Sequence, residues 1–207
     1  MENWNGPSKN QKFQQLTPYN FIPMIFLETP LKGAYVLELK RLTDERGFFA
    51  RSYCKNEFEA YGLNTNAVQA NLSHNHQKGT LRGMHMQNAP FGETKLVRCT
   101  KGAIFDVIVD LRGESDTYRQ WFGVELNAEN FTMLYIPEGF AHGFITLEDD
   151  TDVSYQVTEF YNPSAEQGFL WNDPAFNIQW PMQPQVISDK DRAHPTLAEQ
   201  LSAHINK

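Results

Sequence analysis

Cysteine is nearly absent from this chain of 207 residues, where Cys54 and Cys99 are the only two. They form neither a disulfide framework nor a zinc-site spacing, and they point to a reducing compartment, the cytoplasm. Positive charge is short as well: 18 Lys and Arg stand against 25 Asp and Glu, for a net charge of −7. Phosphate backbones require a basic face, so nucleic acid is excluded as the main partner. Long apolar runs are also missing. Stretches such as Val107-Ile108-Val109 fall far below the ~20 residues that span a bilayer. The segment 21–27, broken by Pro23 and lacking a cationic flank, does not read as a secretory signal. A membrane partner is not expected.

What is present suits a packed globular protein. Hydrophobic residues make up 41% of the chain, enough for a sizeable core. Residues 1–23, rich in Asn, Gln and Pro, read as an arm that is poorly ordered unless a partner ties it down. Residues 24–207 read as one domain, with Met24 an alternative start. Runs of β-branched and aromatic residues recur at 34–40, 48–53, 67–72, 95–99, 103–111, 120–126, 132–136, 143–147 and 153–160, separated by turn signals. That spacing predicts an all-β antiparallel sandwich or barrel of the jelly-roll type. Helical windows are short and peripheral, at 55–61 and 195–204.

Few residues stand out for chemistry. His85 and Gln87 are two apart in a strand-like segment and share a face. Metal-binding barrels of this kind place two imidazoles at that spacing, with a later His such as His142 in Gly139-Phe140-Ala141-His142. Gln87 is a poor ligand for a transition metal, which weakens the metal reading. Lys95 shares strand parity with Val97 and Cys99 and so faces the interior. Burying its charge is costly unless it meets an anion, although a lysine snorkelling at a barrel mouth would look the same. Tyr155 shares parity with Val153 and Val157, which fits a core tyrosine as well as a proton donor. Asp191 by itself is a solvated charge in a C-terminal turn. Arg82 has the opposite parity to His85, so Gly83 between them marks a bulge or bend.

Longer motifs add what single residues do not. Asp44-Glu45-Arg46-Gly47-Phe48-Phe49, Lys78-Gly79-Thr80-Leu81-Arg82-Gly83-Met84-His85, Lys95-Leu96-Val97-Arg98-Cys99, Asp106-Val107-Ile108-Val109-Asp110-Leu111-Arg112, Pro137-Glu138-Gly139-Phe140-Ala141-His142-Gly143-Phe144 and Trp171-Asn172-Asp173-Pro174 follow in order. This series resembles the dTDP-4-dehydrorhamnose 3,5-epimerase family, nucleotide-sugar epimerases on a cupin-type jelly roll. The likeness runs from about Phe26 to Asp191. It implies a homodimer, no cofactor and no metal, and a nucleotide-diphosphate 4-keto sugar as substrate. The ketone acidifies the C–H bonds at C3 and C5, so epimerisation needs a base, an acid across the ring and a cation at the enolate oxygen.

By resemblance His85 is the base, oriented by Asp191; Tyr155 is the donor on the opposite face, and Lys95 stabilises the enolate. Arg46, Arg82 and Lys190 match positions that grip the diphosphate. Gln69, Asn71 and Glu166 align with nucleotide or sugar contacts, and the aromatics Phe49 and Tyr161 suit either stacking on the base or a place in the core. His142 matches a sugar or phosphate contact, against the alternative of a satisfied core histidine. Arg51 stands where better-known members carry Glu, and Ala70 where they carry Asp, which predicts a more cationic nucleotide pocket. The reaction is therefore more secure than the nucleotide, with CDP, UDP or GDP open beside dTDP. Other readings are a single-centre epimerase or 3,4-ketoisomerase, a metal-dependent cupin enzyme, and a non-catalytic nucleotide-sugar binding module.

Overall fold

The computed structural model describes residues 23–205; most of the expected N-terminal arm, residues 1–22, lies outside them. In chain order the elements are β1 (Ile25–Glu28), β2 (Tyr35–Glu38), β3 (Leu42–Asp44), β4 (Gly47–Phe49), α1 (Lys55–Ala60), β5 (Gln69–Asn75), β6 (Thr80–Gln87), β7 (Lys95–Lys101) and β8 (Ala103–Asp110). There follow β9 (Trp121–Asn127), β10 (Met133–Ile136), β11 (Phe140–Thr146), β12 (Thr151–Val157), β13 (Glu166–Gly168), β14 (Val186–Ile187), α2 (Asp189–Arg192) and α3 (Leu197–Ile205). One sheet runs β1-β2-β10-β7-β12-β5 and the other β13-β6-β11-β8-β9. Pairing is antiparallel throughout except for β14, which joins β6 in parallel. This is the jelly roll expected from the strand spacing. No described helix is long and apolar enough to cross a membrane.

The alternating side chains of the strands divide the apolar residues among three layers. Between the sheets lie Val36, Val97, Cys99, Ile104, Ile108, Leu134, Ile136, Phe144 and Val153, all buried. Met84, Val107, Val109 and Ala141 face the other way and are covered by Phe169, Phe176, Ile178 and Leu197 from the C-terminal segment. Leu37, Met133 and Tyr135 pack beneath Phe58 of α1, with Met24. Each fully buried Leu, Ile, Val or Phe contributes ~1.5–3 kcal/mol, so both outer covers are as necessary as the inner layer.

Three local expectations change. The run at 48–53 is a strand only through Phe49, and β3 and β4 pair with each other alone, outside both main sheets. Segment 80–87, missing from the strand-length runs, is an eight-residue strand at the centre of the site. Asp191 is not a solvated turn charge; it sits on α2 and is only 5% exposed.

Gly83 supports the predicted irregularity in β6. His142 pairs with His85 and Phe144 with Arg82, so two steps along β11 face three along β6. The extra residue turns Arg82 and His85 to the same side. Gly83 has φ of +125°, and a Cβ there would lie 2.6 Å from Gly143 Cα. Only glycine fits. Gly83→Ala should therefore cost about 2 kcal/mol or more, while Gly113→Ala, with open space around it, should stay within about 0.5 kcal/mol. Urea unfolding of both variants measures this; equal effects would remove Gly83 from its structural role.

Candidate active site

Between the sheets opens a cavity of about 680 Å3, lined by Arg82 and His85 of β6, Lys95 of β7, His142 of β11, Tyr155 of β12 and Asp191 of α2. A second cavity of about 320 Å3 adjoins it, sharing His85, Lys95 and Tyr155 and adding Gln69, Asn71, Glu93, Tyr161 and Glu166. Strand parity explains the arrangement. On β7, Lys95 leads along one face to Val97 and Cys99, so the strand passes from polar cavity into sealed core. On β12, Tyr155 does the same toward Val153.

Asp191 organises one wall. Its carboxylate accepts from His85 Nε2 at 2.7 Å and from the Gly83 amide at 3.3 Å. Its own amide donates to Ser188 Oγ, which caps α2, at 3.0 Å. A carboxylate only accepts, so Nε2 carries the proton and His85 Nδ1 keeps its lone pair. Burial works against the ionised form of Asp191, but the His85 hydrogen bond and charge, the Gly83 amide and His194 outweigh it and hold its pKa below the ordinary value. His194 packs edge-on to His85 with centroids 5.4 Å apart. Burial, then the neighbouring His85 charge, lowers the pKa of His194.

The opposite wall is also charged. Lys95 Nζ lies 3.0 Å from Glu93 Oε1, both side chains largely buried. The ammonium therefore has a carboxylate partner at rest, the anion that its burial requires. Tyr155 is half-buried, and desolvation followed by the Glu93 charge raises its pKa, with Arg82 opposing. It is thus a phenol, able to donate, at neutral pH.

His142 combines the two roles weighed for it. Its Nε2 bonds Asp106 Oδ1 at 2.7 Å, which meets one oxygen of a carboxylate of zero exposure and leaves Oδ2 without a hydrogen bond, yet its ring lines the larger cavity. Lys190 donates to both oxygens of Glu166, at 2.7 and 2.8 Å, and the Tyr161 hydroxyl donates to the same group at 2.8 Å. The Glu166 bond raises the pKa of Lys190, while Lys190 and Tyr161 overcome burial to lower that of Glu166. Gln69 accepts from the Tyr161 amide at 3.2 Å. Gln87 is engaged with backbone, donating to Phe91 and Phe160 carbonyls and accepting from the Asn162 amide.

The family model described as dTDP-4-dehydrorhamnose 3,5-epimerase matches residues 28–199. The Salmonella typhimurium protein of that name is 47% identical over 180 residues, covering 86% of this chain and 98% of its own. The crystal structure of the Bacillus anthracis enzyme, with TDP and PPi bound, superposes at a TM-score of 0.81 with 45% identity, covering 84% of this chain and all of that one. The Legionella pneumophila 3,5-epimerase in complex with dTDP-4-keto-L-rhamnose gives 0.79 at 40% identity, covering 85% and 94%.

The chain belongs to the dTDP-4-dehydrorhamnose 3,5-epimerase family.

Within this epimerase-family fold, three expected contacts line neither of the two cavities described. Arg46 and Phe49 lie on the β3–β4 hairpin, Arg46 paired with Asp44 and Phe49 65% exposed. Arg51 lies 3.0 Å from Glu57, a buried residue of α1 that also accepts from the Met24 amide. Within one chain Arg51 is matched by a carboxylate and lines neither of these two cavities. Sequence reasoning missed three residues. Glu93 precedes Lys95 by two, a same-face spacing that could have revealed it; Asp106 was visible only as part of a motif. His194 follows Asp191 by three, the period of a helical turn.

Two tests follow. A depressed carboxylate pKa adds stability above the unfolded value near ~4 and loses it as pH falls through the folded value. The stability gap between wild type and Asp191→Asn should be widest near neutrality and shrink below about pH 4; a gap independent of pH would contradict the assignment. Lys95→Met should cost about 1–3 kcal/mol by stranding Glu93, and adding Glu93→Gln should recover most of it. Thermal melts of the single and double variants decide, and additive losses would dissolve the pair.

Proposed function

We propose that the protein catalyses 3,5-epimerisation of a dTDP-linked 4-keto-6-deoxyhexose, converting the 4-dehydro-6-deoxyglucose form into 4-dehydrorhamnose. One observation carries the reading: a carboxylate-held histidine and a protonated tyrosine come from opposing sheets and meet, with an ammonium, where the two cavities join. The cavity volumes suit a nucleotide-sugar better than a free hexose.

His85 Nδ1 takes the proton from C3 or C5, and Asp191 stabilises the imidazolium that results. Negative charge moves to the C4 oxygen, where Lys95 Nζ receives it in a site largely shielded from water. Tyr155 then delivers a proton from the far wall, inverting the centre. Its raised pKa supports that role, because the group arrives at each turnover protonated. His85 then releases its proton to solvent and Tyr155 regains one, after which the same steps run at the second carbon. Arg82 stands at the larger cavity and Lys190 near the smaller one, and both suit a diphosphate. His142, Gln69, Asn71, Tyr161 and Glu166 supply the remaining polar contacts.

A homodimer completes this reading. The β3–β4 hairpin exposes Leu42, Phe48 and Phe49, while Leu72 at the larger cavity and Tyr161 at the smaller are 69% and 60% exposed. Apolar surface on a protruding hairpin and around a cavity mouth suits burial between copies. Arg46, Phe49 and Arg51 would then serve the neighbouring copy's mouth. Two unbonded cysteines, one buried, support a reducing compartment, the cytoplasm.

Incubation in deuterated water followed by sugar NMR tests the chemistry. Label should enter C3 and C5 in wild type and neither carbon in His85→Ala. Tyr155→Phe should keep wash-out of the abstracted proton and lose net inversion. Exchange in His85→Ala within tenfold of wild type overturns the base, and label at one carbon only makes the protein a single-centre epimerase.

A further inference from the structure

At the edge of the first sheet, away from the proton-transfer residues, a second group of side chains converges. His74 and His76 are two apart on one face of the chain leaving β5, and the β11–β12 turn brings Asp150 beside them. His74 Nε2 is 3.1 Å from His76 Nδ1 and 3.8 Å from Asp150 Oδ1. The other nitrogen of His74, Nδ1, is 2.6 Å from Asp152 Oδ1, its cross-strand partner in the β5–β12 ladder. The Asp150 amide donates to the His76 carbonyl at 3.2 Å, which pins the turn to the strand end.

We propose that His74 Nε2, His76 Nδ1 and the Asp150 carboxylate bind a divalent transition-metal ion, with zinc the natural occupant, at the mouth of the larger cavity. The hydrogen-bond bookkeeping leads there. Asp152 can only accept, so His74 carries its proton on Nδ1 and turns a bare Nε2 toward His76 and Asp150. Asp150 also only accepts, so two acceptors face each other at 3.8 Å. His76 meets the His74 lone pair at 3.1 Å, and with its proton on Nε2 it turns a third lone pair to the same point, where a cation would satisfy all three. The spacing fits an ion: zinc bonds of about 2.0–2.2 Å in a tetrahedron set neighbouring ligand atoms roughly 3.3 Å apart. The observed 3.1 and 3.8 Å bracket that value, and all three ligand atoms lie within 4.8 Å of one another.

Asp152 supplies the outer carboxylate that orients a ligating imidazole and strengthens its donor nitrogen. Two imidazoles and one carboxylate favour zinc, copper or nickel over magnesium or calcium, which prefer oxygen. The remaining position goes to water or to an anionic oxygen at the cavity mouth. His74 lines that cavity, and its carbonyl accepts from Arg82 Nη2 at 3.4 Å, so the ion would add positive charge beside an arginine already there. The metal is no part of the proton transfer described above.

Among the described residues a competing group exists at His85, Asp191 and His194, and the experiment separates the two. Untagged full-length protein, freed of metal, is titrated with zinc chloride by calorimetry. Wild type should take up one ion per chain. His76→Ala and Asp150→Asn should each weaken binding at least tenfold, and Asp152→Asn by about 10–100-fold. His194→Ala should leave the affinity unchanged, and a hundredfold excess of magnesium should not displace zinc. Asp150 is exposed at a turn, so Asp150→Asn carries the test even if a histidine variant fails to fold. Absence of stoichiometric uptake, or loss of binding in His194→Ala with His76→Ala unaffected, overturns the proposal.

Discussion

A buried carboxylate on a four-residue helix governs this molecule. Asp191 has no place at 5% exposure unless its oxygens are met. Meeting them ties together three things remote in sequence: the C-terminal segment, the bulged backbone of β6 and the ring of His85. α2 is too short to hold itself, and its Ser188 cap and this ionic anchor define where it docks. The histidine gains a fixed tautomer, and the cavity gains a closed end.

The same principle recurs around the site. Lys95 rests on Glu93, Lys190 on Glu166 and His142 on Asp106, as Arg46 does on Asp44 away from the cavities. At the exposed pairs these contacts add little stability. At Lys95 and His142 they make burial of charge tolerable. An anionic substrate therefore meets Lys95 and Lys190 with carboxylates already in place, whereas Arg82 is bonded to the neutral oxygens of Asn75 and His74. At the two lysines binding is an exchange of carboxylate for phosphate or enolate oxygen, which limits the resting attraction for unrelated anions.

Much of this was legible in the sequence, for reasons that differ by residue. The inward faces of Lys95 and Tyr155 follow from two-residue periodicity, and the strand lengths that imply a jelly roll follow from the turn signals between them. Arg82 and His85 break parity, and a glycine between them made the bulge readable. The family motifs located Asp191, which its local sequence presents as one more charge in a polar turn. Its burial depends on a long-range contact that no local pattern encodes. Arg51 is a like case: its partner Glu57 sits on α1, beyond the loop that carries Arg51, and only the packing of α1 makes that carboxylate buried. The position of the β3–β4 hairpin, outside both sheets, was equally invisible to strand propensity.

Gly168 carries a consequence of its own. It pairs with His85 across the β13–β6 ladder, and a side chain there would run into the ring of His194. His194 in turn stands against both His85 and Asp191. Positions 168 and 194 are therefore sterically linked although neither is adjacent to the other in sequence. A drift to alanine or serine at 168 is open only to a lineage that first gives up the bulky ring at 194. The order of two substitutions, and with it the set of sequences this fold can pass through, is written in the space above one glycine.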